Sequence, residues 1–255
     1  MIPKIIHLCW LSGDPYPKEI QKCLDSWKTI LPDYEVILWN KEKFNIYSTM
    51  WTKQAYENKK YAFAADYIRL YALYNYGGIY LDSDVLVYKS FNDLLNLPYF
   101  VGCDYVGSFE AAVLGFEKNS PVIAEILKYY ENRSFVKANG DFDMLPLPKI
   151  FLKVLSDNGH DFVKINGLRK YNVGKTLYVF HRDFFNSRNS VEPRKTKKSY
   201  CSHCYAGSWV RPGSSFKSKL KRNLPNFIKR IIFFFTNKLH KKRLDAERIK
   251  FVKRF

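Results

Sequence analysis

Tyr76-Gly-Gly-Ile-Tyr-Leu-Asp-Ser-Asp84 is the stretch of sequence that decides the fold. It follows a helical pattern over residues 61–76, and its paired glycines suit a left-handed helix C-cap. Ile79-Tyr-Leu81 is short and apolar, which is typical of a buried strand. Asp82 and Asp84 come directly after that strand, so we predict that both carboxylates lie at its carboxyl end.

The residues before this stretch predict a βαβ unit. Residues 4–10 form an apolar strand pattern, residues 17–31 an amphipathic helix with Pro17 in its first turn, and residues 34–39 a second strand. Strand, helix and strand at this spacing indicate a parallel sheet. The remaining predicted elements are helices over 49–58, 121–132 and 146–155 and strands over 99–106 and 111–116, with strand and loop over 160–210. We therefore predict an α/β fold whose mixed, mainly parallel sheet is flanked by helices.

Composition and charge divide the chain into two parts. In its 255 residues, 47% apolar and 17% aromatic side chains exclude a disordered or low-complexity protein. The net charge of +18 is concentrated in residues 211–255, which hold 15 Lys or Arg against Asp245 and Glu247. Apolar residues recur there at helical spacing. We predict one domain over residues 1–210 and a basic amphipathic helical tail over residues 211–255.

The cysteines and the N-terminus favour a cytoplasmic protein. Five scattered cysteines argue against a disulfide framework and for a reducing compartment. Cys201 and Cys204 are closely spaced, but a structural zinc site needs four ligands and no second Cys or His pair at metal spacing follows. The sequence therefore argues against a structural zinc site. Residues 1–10 lack the cationic and apolar regions of a signal peptide, so we expect none.

Asp82 and Asp84 are candidate metal ligands. Two carboxylates in one loop repel each other unless a cation or hydrogen-bond donors lie between them. Mg²⁺ or Mn²⁺ typically binds through one or two carboxylates and substrate phosphates. This pattern therefore suggests a metal that joins the protein to a nucleoside diphosphate, although the same pattern is also common in solvated turns.

Asp66 and Arg69 lie three residues apart on the preceding helix and share one of its faces. They could form a surface ion pair of little energetic value. Their neighbours over residues 62–73 are mostly apolar, however, which favours a polar cleft as the location of the pair. There the two side chains could bind sugar hydroxyls, and Arg69 could also neutralise a phosphate.

Four motifs in order carry a family resemblance over residues 2–210. They are Ile2-Pro-Lys-Ile-Ile-His-Leu-Cys-Trp10, Tyr61-Ala-Phe-Ala-Ala-Asp-Tyr-Ile-Arg69, Tyr76-Gly-Gly-Ile-Tyr-Leu-Asp-Ser-Asp84 and His203-Cys-Tyr-Ala-Gly-Ser-Trp209. Together they resemble the family 32 glycosyltransferases of bacterial surface-polysaccharide synthesis. The catalytic domains of the large clostridial glucosylating toxins are similar in the same motifs.

The resemblance implies a GT-A fold, a UDP-sugar donor, Mn²⁺ or Mg²⁺, and transfer with retention of configuration. It implies donor-site roles for Cys9 and Trp10, with the indole stacked on uracil. It assigns the donor sugar and ribose to Asp66, Arg69, Tyr80 and Asp82, of which Asp66, Arg69 and Asp82 are also catalytic.

The remaining implied roles concern the metal and a closing loop. Asp84 is implied as the direct metal ligand, with Asp82 beside it. Ser208 and Trp209 are implied to lie in a C-terminal loop that closes over the metal and the phosphate, Trp209 and Asp84 being catalytic. His203 falls where the family often has histidine, but Cys204 and Tyr205 depart from the commoner His-Trp. The third metal ligand is therefore open, with His203 as the candidate.

Two alternatives of other classes remain. A haloacid-dehalogenase-like phosphatase would also place Asp82 and Asp84 after a strand, but it needs a second acidic pair, for which Asp141 and Asp143 are the candidates. A nucleic-acid-binding protein would explain the positive charge, but its cations would be expected along a groove with stacking aromatics, not in one tail.

We therefore predict a retaining glycosyltransferase that moves a hexose or N-acetylhexosamine from a UDP-sugar to a lipid-linked saccharide acceptor. The predicted process is bacterial capsular or surface polysaccharide synthesis. We expect residues 214–255 to bind an anionic membrane surface, which places the enzyme peripherally on the inner face of the cytoplasmic membrane. No nucleic acid partner is expected.

Overall fold

The computed structural model describes residues 1–104, 107–186 and 193–206. The helices within these ranges are α1 (Lys18–Ile30), α2 (Met50–Glu57), α3 (Tyr61–Tyr76), α4 (Pro121–Leu127) and α5 (Leu147–Asp157). The strands are β1 (Ile5–Cys9), β2 (Glu35–Trp39), β3 (Gly78–Leu81), β4 (Val85–Val87), β5 (Tyr99–Cys103), β6 (Phe109–Phe116), β7 (Asp161–Ile165), β8 (Thr176–Phe180) and β9 (Cys201–His203). The predicted tail over residues 211–255 lies outside the described residues.

Seven strands form the central sheet in the order β2-β1-β3-β6-β5-β8-β7. Strand β1 is parallel to β2 and β3, and β8 is parallel to β5 and β7. Strand β6 is antiparallel to both of its neighbours. The predicted mixed, mainly parallel α/β sheet and its βαβ start are confirmed. A separate pair, β4 and β9, is antiparallel.

Helix α1 holds β4 in place beside the sheet. Its buried face includes Ile20, Cys23 and Trp27, as the amphipathic pattern predicts. The indole N–H of Trp27 donates to the carbonyl of Val85 at 2.7 Å. Pro17 lies one residue before the helix, at its N-cap, instead of in its first turn. The hydrogen bond from Trp27 to Val85 thus positions β4, the strand that follows Asp84.

Helix α3 leads directly into β3 through two glycines. The helix buries residues on most of its surface and ends at Tyr76. Its C-cap Gly77 has the positive φ that glycine favours, 66°, but its ψ of −168° lies outside the predicted left-handed helical conformation. A Cβ on Gly77 would lie 2.7 Å from the backbone nitrogen of Lys118, so the close approach also requires glycine. Buried His7 accepts from the Trp39 indole at Nδ1 (3.1 Å) and donates from Nε2 to the Gly77 carbonyl (2.7 Å). The helix end is therefore fixed to the first two strands.

Two predicted elements end earlier than expected. The strand predicted over residues 99–106 ends at Cys103, because Asp104 exchanges backbone hydrogen bonds with Gly107 and Ser108 in a turn. The helix predicted over residues 121–132 ends at Leu127 and continues as a 3-10 turn through Tyr130. Among the described helices, none is long and apolar enough to cross a membrane.

The contact between β5 and β6 generates a stability prediction. Gly115 lies opposite Phe100, and a Cβ there would come within 2.2 Å of the phenyl ring. Phe100 is fully buried and stacks on Phe91 and Phe185, so it cannot move aside. We expect Gly115→Ala to lower the free energy of unfolding by about 1–3 kcal/mol in urea denaturation.

The control is Gly167→Ala, since nothing lies within 4 Å of a Cβ at that position. A surface change of this kind alters stability by about 0.5 kcal/mol or less. Equal stabilities for the two variants would contradict this account of the sheet.

Candidate active site

Asp82 and Asp84 flank the turn between β3 and β4. The N–H of Asp82 donates to the carbonyl of Ala112 at 2.9 Å, and the N–H of Val85 donates to the carbonyl of Asp82 at 3.0 Å. Both carboxylates therefore lie at the carboxyl end of β3, as the sequence predicts. Their side chains remain partly accessible, 27% exposed for Asp82 and 13% for Asp84.

The Arg69 guanidinium joins the helix face to this turn. Its Nη2 lies 3.1 Å from Oδ1 of Asp66 and 3.3 Å from Oδ1 of Asp82, and its Nη1 donates to the carbonyl of Ala111 at 2.9 Å. The guanidinium also lies over the Tyr80 ring, 4.4 Å from its centre. The ion pair is buried and not on a solvated helix face, and it bridges α3, the end of β3 and β6.

Burial governs the charge of Asp66. It raises the pKa of Asp66 to about 7, although Arg69 and the backbone N–H of Leu147 oppose the shift. Tyr80 donates its hydroxyl hydrogen to Oδ1 of Asp82 at 3.0 Å. Burial also raises the pKa of Asp82, against the opposing charges of Arg69 and His203. Both carboxylates beside Arg69 therefore have raised pKa values, and in both cases burial is the main cause.

His203 reaches the same place from the other end of the chain. Strand β9 pairs with β4 so that His203 lies opposite Val85, next to Asp84. Its Nε2 is 3.2 Å from Oδ1 of Asp84. Burial alone would lower the pKa of His203, but Glu110 and Asp84 together raise it well above its usual value. Burial would raise the pKa of Asp84, yet His203 and the N–H of Ala206 lower it.

Asp82, Asp84 and His203 form a candidate metal centre. Each offers one ligand atom, and these atoms all lie within 4.8 Å of one another. The two carboxylates suit a hard divalent cation such as Mg²⁺ or Mn²⁺, and an imidazole is a common ligand of first-row transition metals. The donor set fits the predicted cation, and His203 remains the candidate for the third position.

Cys9 is the last residue of β1, and Trp10 follows it. Burial raises the pKa of Cys9 to about 12 although the nearby Arg69 charge opposes the shift, so its thiol is neutral. The Trp10 indole donates to the carbonyl of Asp14 at 2.8 Å and packs on Tyr16, 4.9 Å between ring centres. It lines a cleft of about 380 Å³ with Leu38, Asn40 and Tyr56, which offers an aromatic face and polar groups to a planar base.

The structure adds residues that the sequence does not single out. Glu110, at the start of β6, contacts His203 and accepts hydrogen bonds from Tyr205 and Asn186. A charged residue in the apolar run Phe109–Phe116 was the available sign of Glu110. Ser208 and Trp209, predicted for the closing loop, lie outside the described residues.

Residues 17–101 match the family model described as "Glycosyltransferase sugar-binding region containing DXD motif". The match contains α3 and the Asp82-Ser83-Asp84 turn. It supports a glycosyltransferase and leaves Trp10 and His203 outside the matched region.

Several curated proteins are similar to parts of the chain. Inositol phosphoceramide mannosyltransferase 3 of Schizosaccharomyces pombe is 32% identical over 134 residues, 50% of this chain and 36% of that protein. Mannosyl phosphorylinositol ceramide synthase SUR1 of Saccharomyces cerevisiae is 32% identical over 146 residues, 53% and 37% of the two chains. The chain therefore spans little more than a third of these fungal relatives. An uncharacterized glycosyltransferase, L373, of Acanthamoeba polyphaga mimivirus is 25% identical over 220 residues, 82% and 84% of the two chains.

Solved glycosyltransferases are among the structural neighbours. The PaToxG glycosyltransferase has a TM-score of 0.47 and 23% identity over 62% of this chain and 70% of its own. The galactosyltransferase LgtC, solved with donor and acceptor sugar analogues, has a TM-score of 0.35 and 14% identity over 59% and 70% of the two chains.

The buried position of Arg69 predicts a large stability effect. Arg69→Ala leaves the Asp66 and Asp82 carboxylates and the Ala111 carbonyl without their buried partner. Removing one partner of a buried ion pair typically costs about 3–5 kcal/mol. We expect a loss of that size in the free energy of unfolding, measured by urea denaturation.

Arg133→Ala is the control, because Arg133 forms a more exposed pair with Asp143 at 2.9 Å. Such pairs contribute about 1 kcal/mol or less. If Arg69→Ala were no less stable than Arg133→Ala, the bridging role assigned to Arg69 would be wrong.

Proposed function

We propose that the chain is a metal-dependent, retaining glycosyltransferase that moves a hexose or N-acetylhexosamine from a UDP-sugar to a saccharide acceptor. The observation that carries the proposal is that ligand atoms of Asp82, Asp84 and His203 lie within 4.8 Å of one another at the carboxyl end of β3. The two carboxylates, though not His203, lie in the region that matches the glycosyltransferase model. The finer assignment to family 32 rests on the four motifs.

Each element of the site has a proposed task. Asp82, Asp84 and His203 would hold Mn²⁺ or Mg²⁺, and such a cation supplies positive charge beside the diphosphate oxygens. Trp10 stacks on the base in its cleft, since any base offers a face for an indole. Asp66 accepts from sugar hydroxyls, and Arg69 fixes the spacing of Asp66 and Asp82. Ser208 and Trp209 are proposed to close over the donor and exclude water.

The phosphatase alternative loses support from the position of its second acidic pair. Asp143 is paired with Arg133, and Asp141 is exposed and bonded to Asn139. The three-ligand cluster draws on His203 instead of either carboxylate. The matched family model names sugar binding and the DXD motif, which favours the transferase.

The acceptor is proposed to be borne by a lipid. Two fungal relatives carry names that refer to inositol phosphoceramide or its mannosylation, and ceramide is a lipid. A lipid-linked saccharide in bacterial capsular or surface polysaccharide synthesis stays our prediction for this chain, as does its place on the inner face of the cytoplasmic membrane. Because both names refer to mannose, a nucleotide-linked mannose belongs in the donor panel.

The proposal is tested by donor hydrolysis with a panel of UDP-sugars and GDP-mannose, with Mn²⁺, with Mg²⁺ and with EDTA. We expect turnover of a UDP-sugar that EDTA abolishes. Asp84→Asn should lower this turnover by a factor of about a hundred or more. Without the Asp84 carboxylate the site would hold less of the divalent cation that balances the negative charge developing on the phosphate.

Asp141→Asn is the matched control, since Asp141-Phe-Asp143 has the same carboxylate spacing and Asp141 is exposed. Its turnover should stay near that of the unaltered chain. Hydrolysis that persists in EDTA or in Asp84→Asn would refute the metal-dependent proposal, and hydrolysis of GDP-mannose alone would refute the UDP-sugar assignment.

The proposed membrane contact is tested by deleting residues 214–255. Each Lys or Arg near an anionic surface contributes about 1 kcal/mol, so the basic tail suffices for binding. We expect the full chain to sediment with anionic liposomes at low salt and the truncated chain to stay in the supernatant with donor hydrolysis intact. If the full chain does not bind the liposomes, or if the truncated chain unfolds, the membrane proposal is wrong and the tail belongs to the fold.

A further inference from the structure

Glu110 is a buried carboxylate that the proposed chemistry leaves without a task. Its Oε1 accepts from the N–H groups of Ala111 and Ala112 at 3.0 and 3.2 Å. Its Oε2 accepts from the Tyr205 hydroxyl at 2.8 Å and from the side-chain amide of Asn186 at 3.3 Å. Four donors therefore hold the Glu110 carboxylate in place behind the candidate metal centre.

The two ring nitrogens of His203 face two different carboxylates. Nε2 lies 3.2 Å from Asp84, and Nδ1 lies 3.6 Å from Oε2 of Glu110. Nδ1 is buried and has no hydrogen-bond partner within the described part of the chain. Glu110 is therefore the carboxylate toward which an Nδ1–H would point, which leaves the Nε2 lone pair facing the side of Asp82 and Asp84.

The turn after His203 is tied down from both sides of the ring. Tyr205 stacks on the imidazole with ring centres 3.9 Å apart while its hydroxyl bonds Glu110. The N–H of Ala206 donates to Oδ2 of Asp84 at 2.7 Å. Tyr205 has a φ of 53°, a left-handed conformation that a non-glycine residue keeps only when its surroundings hold it. Glu110 thus acts on both the imidazole and the ring that stacks on it.

We infer that Glu110 is the positioning residue of the metal centre: it holds His203 in the tautomer and orientation in which Nε2 is a metal ligand. The inference rests on the proposed function, since it assumes a cation at Asp82, Asp84 and His203. Metal-bound histidines commonly direct their other N–H to a carboxylate, and removing that partner typically costs about 10–100-fold in metal affinity.

Mn²⁺ affinity of the full chain, measured by electron paramagnetic resonance of the free ion, tests the inference without catalysis. We expect Glu110→Gln to weaken Mn²⁺ binding by about 10–100-fold. Glu125→Gln is the matched control, because Glu125 also contacts a buried histidine, His160, at 2.9 Å. That control should bind Mn²⁺ as the unaltered chain does.

A double-mutant cycle separates positioning from general support of the fold. If Glu110 acts through His203, Glu110→Gln should cost little further affinity in a His203→Ala background, since the group it positions is gone. A purely structural role would weaken binding equally in both backgrounds. Tyr205→Phe removes one bond to Glu110 and keeps the stacked ring, so we expect a smaller loss of Mn²⁺ affinity and an unchanged melting temperature.

The outcomes distinguish this inference from the proposed function. If the unaltered chain binds Mn²⁺ and Glu110→Gln binds it equally well, the inference is overturned and the metal centre stands. Should Glu110→Gln fail to fold, unchanged affinity in Tyr205→Phe overturns it. If the unaltered chain does not bind Mn²⁺, the metal centre is wrong and the inference falls with it.

Discussion

The Arg69 guanidinium is the interaction on which both the fold and the site depend. It is buried, and its nitrogens contact Asp66 on α3, Asp82 after β3 and the Ala111 carbonyl on β6. A buried ion of this kind is tolerated because its partners surround it, and it becomes costly as soon as one is lost. The same bonds that join three elements therefore set the spacing of two carboxylates in the cleft.

The approach to this ion is fixed by the turn from α3 into β3. Gly77 takes a conformation that other residues rarely adopt, and His7 bonds its carbonyl from β1. These contacts fix the backbone between Arg69 and Asp82. Asp84 lies two residues after Asp82 and directly before β4. The first residue of β4, Val85, accepts a hydrogen bond from the Trp27 indole of α1 through its carbonyl.

Much of this arrangement follows from the sequence because it is local. Helix α3 occupies the predicted residues, the paired glycines end it, and Asp82 and Asp84 follow the predicted strand. The network of Glu110, Asn186 and Tyr205 could not be predicted in the same way. Its members come from three distant segments and meet through strand pairing, while no spacing or periodicity in the sequence relates them. The roles of Ser208 and Trp209 remain predictions from the resemblance.

The candidate active site is rich in carboxylates although the chain as a whole is strongly basic. The chain carries +18, yet the carboxylates of the cleft outnumber its cationic side chains. The members of this cluster are Asp66, Asp82, Asp84 and Glu110 with Arg69 and His203. Like charges at this spacing persist only with compensation, and burial makes the compensation more demanding. Burial raises the pKa of Asp66, and the carboxylates of Glu110 and Asp84 raise the pKa of His203 although burial opposes the shift. A divalent cation between Asp82, Asp84 and His203 would supply the same compensation, and it would do so where a diphosphate can share the charge.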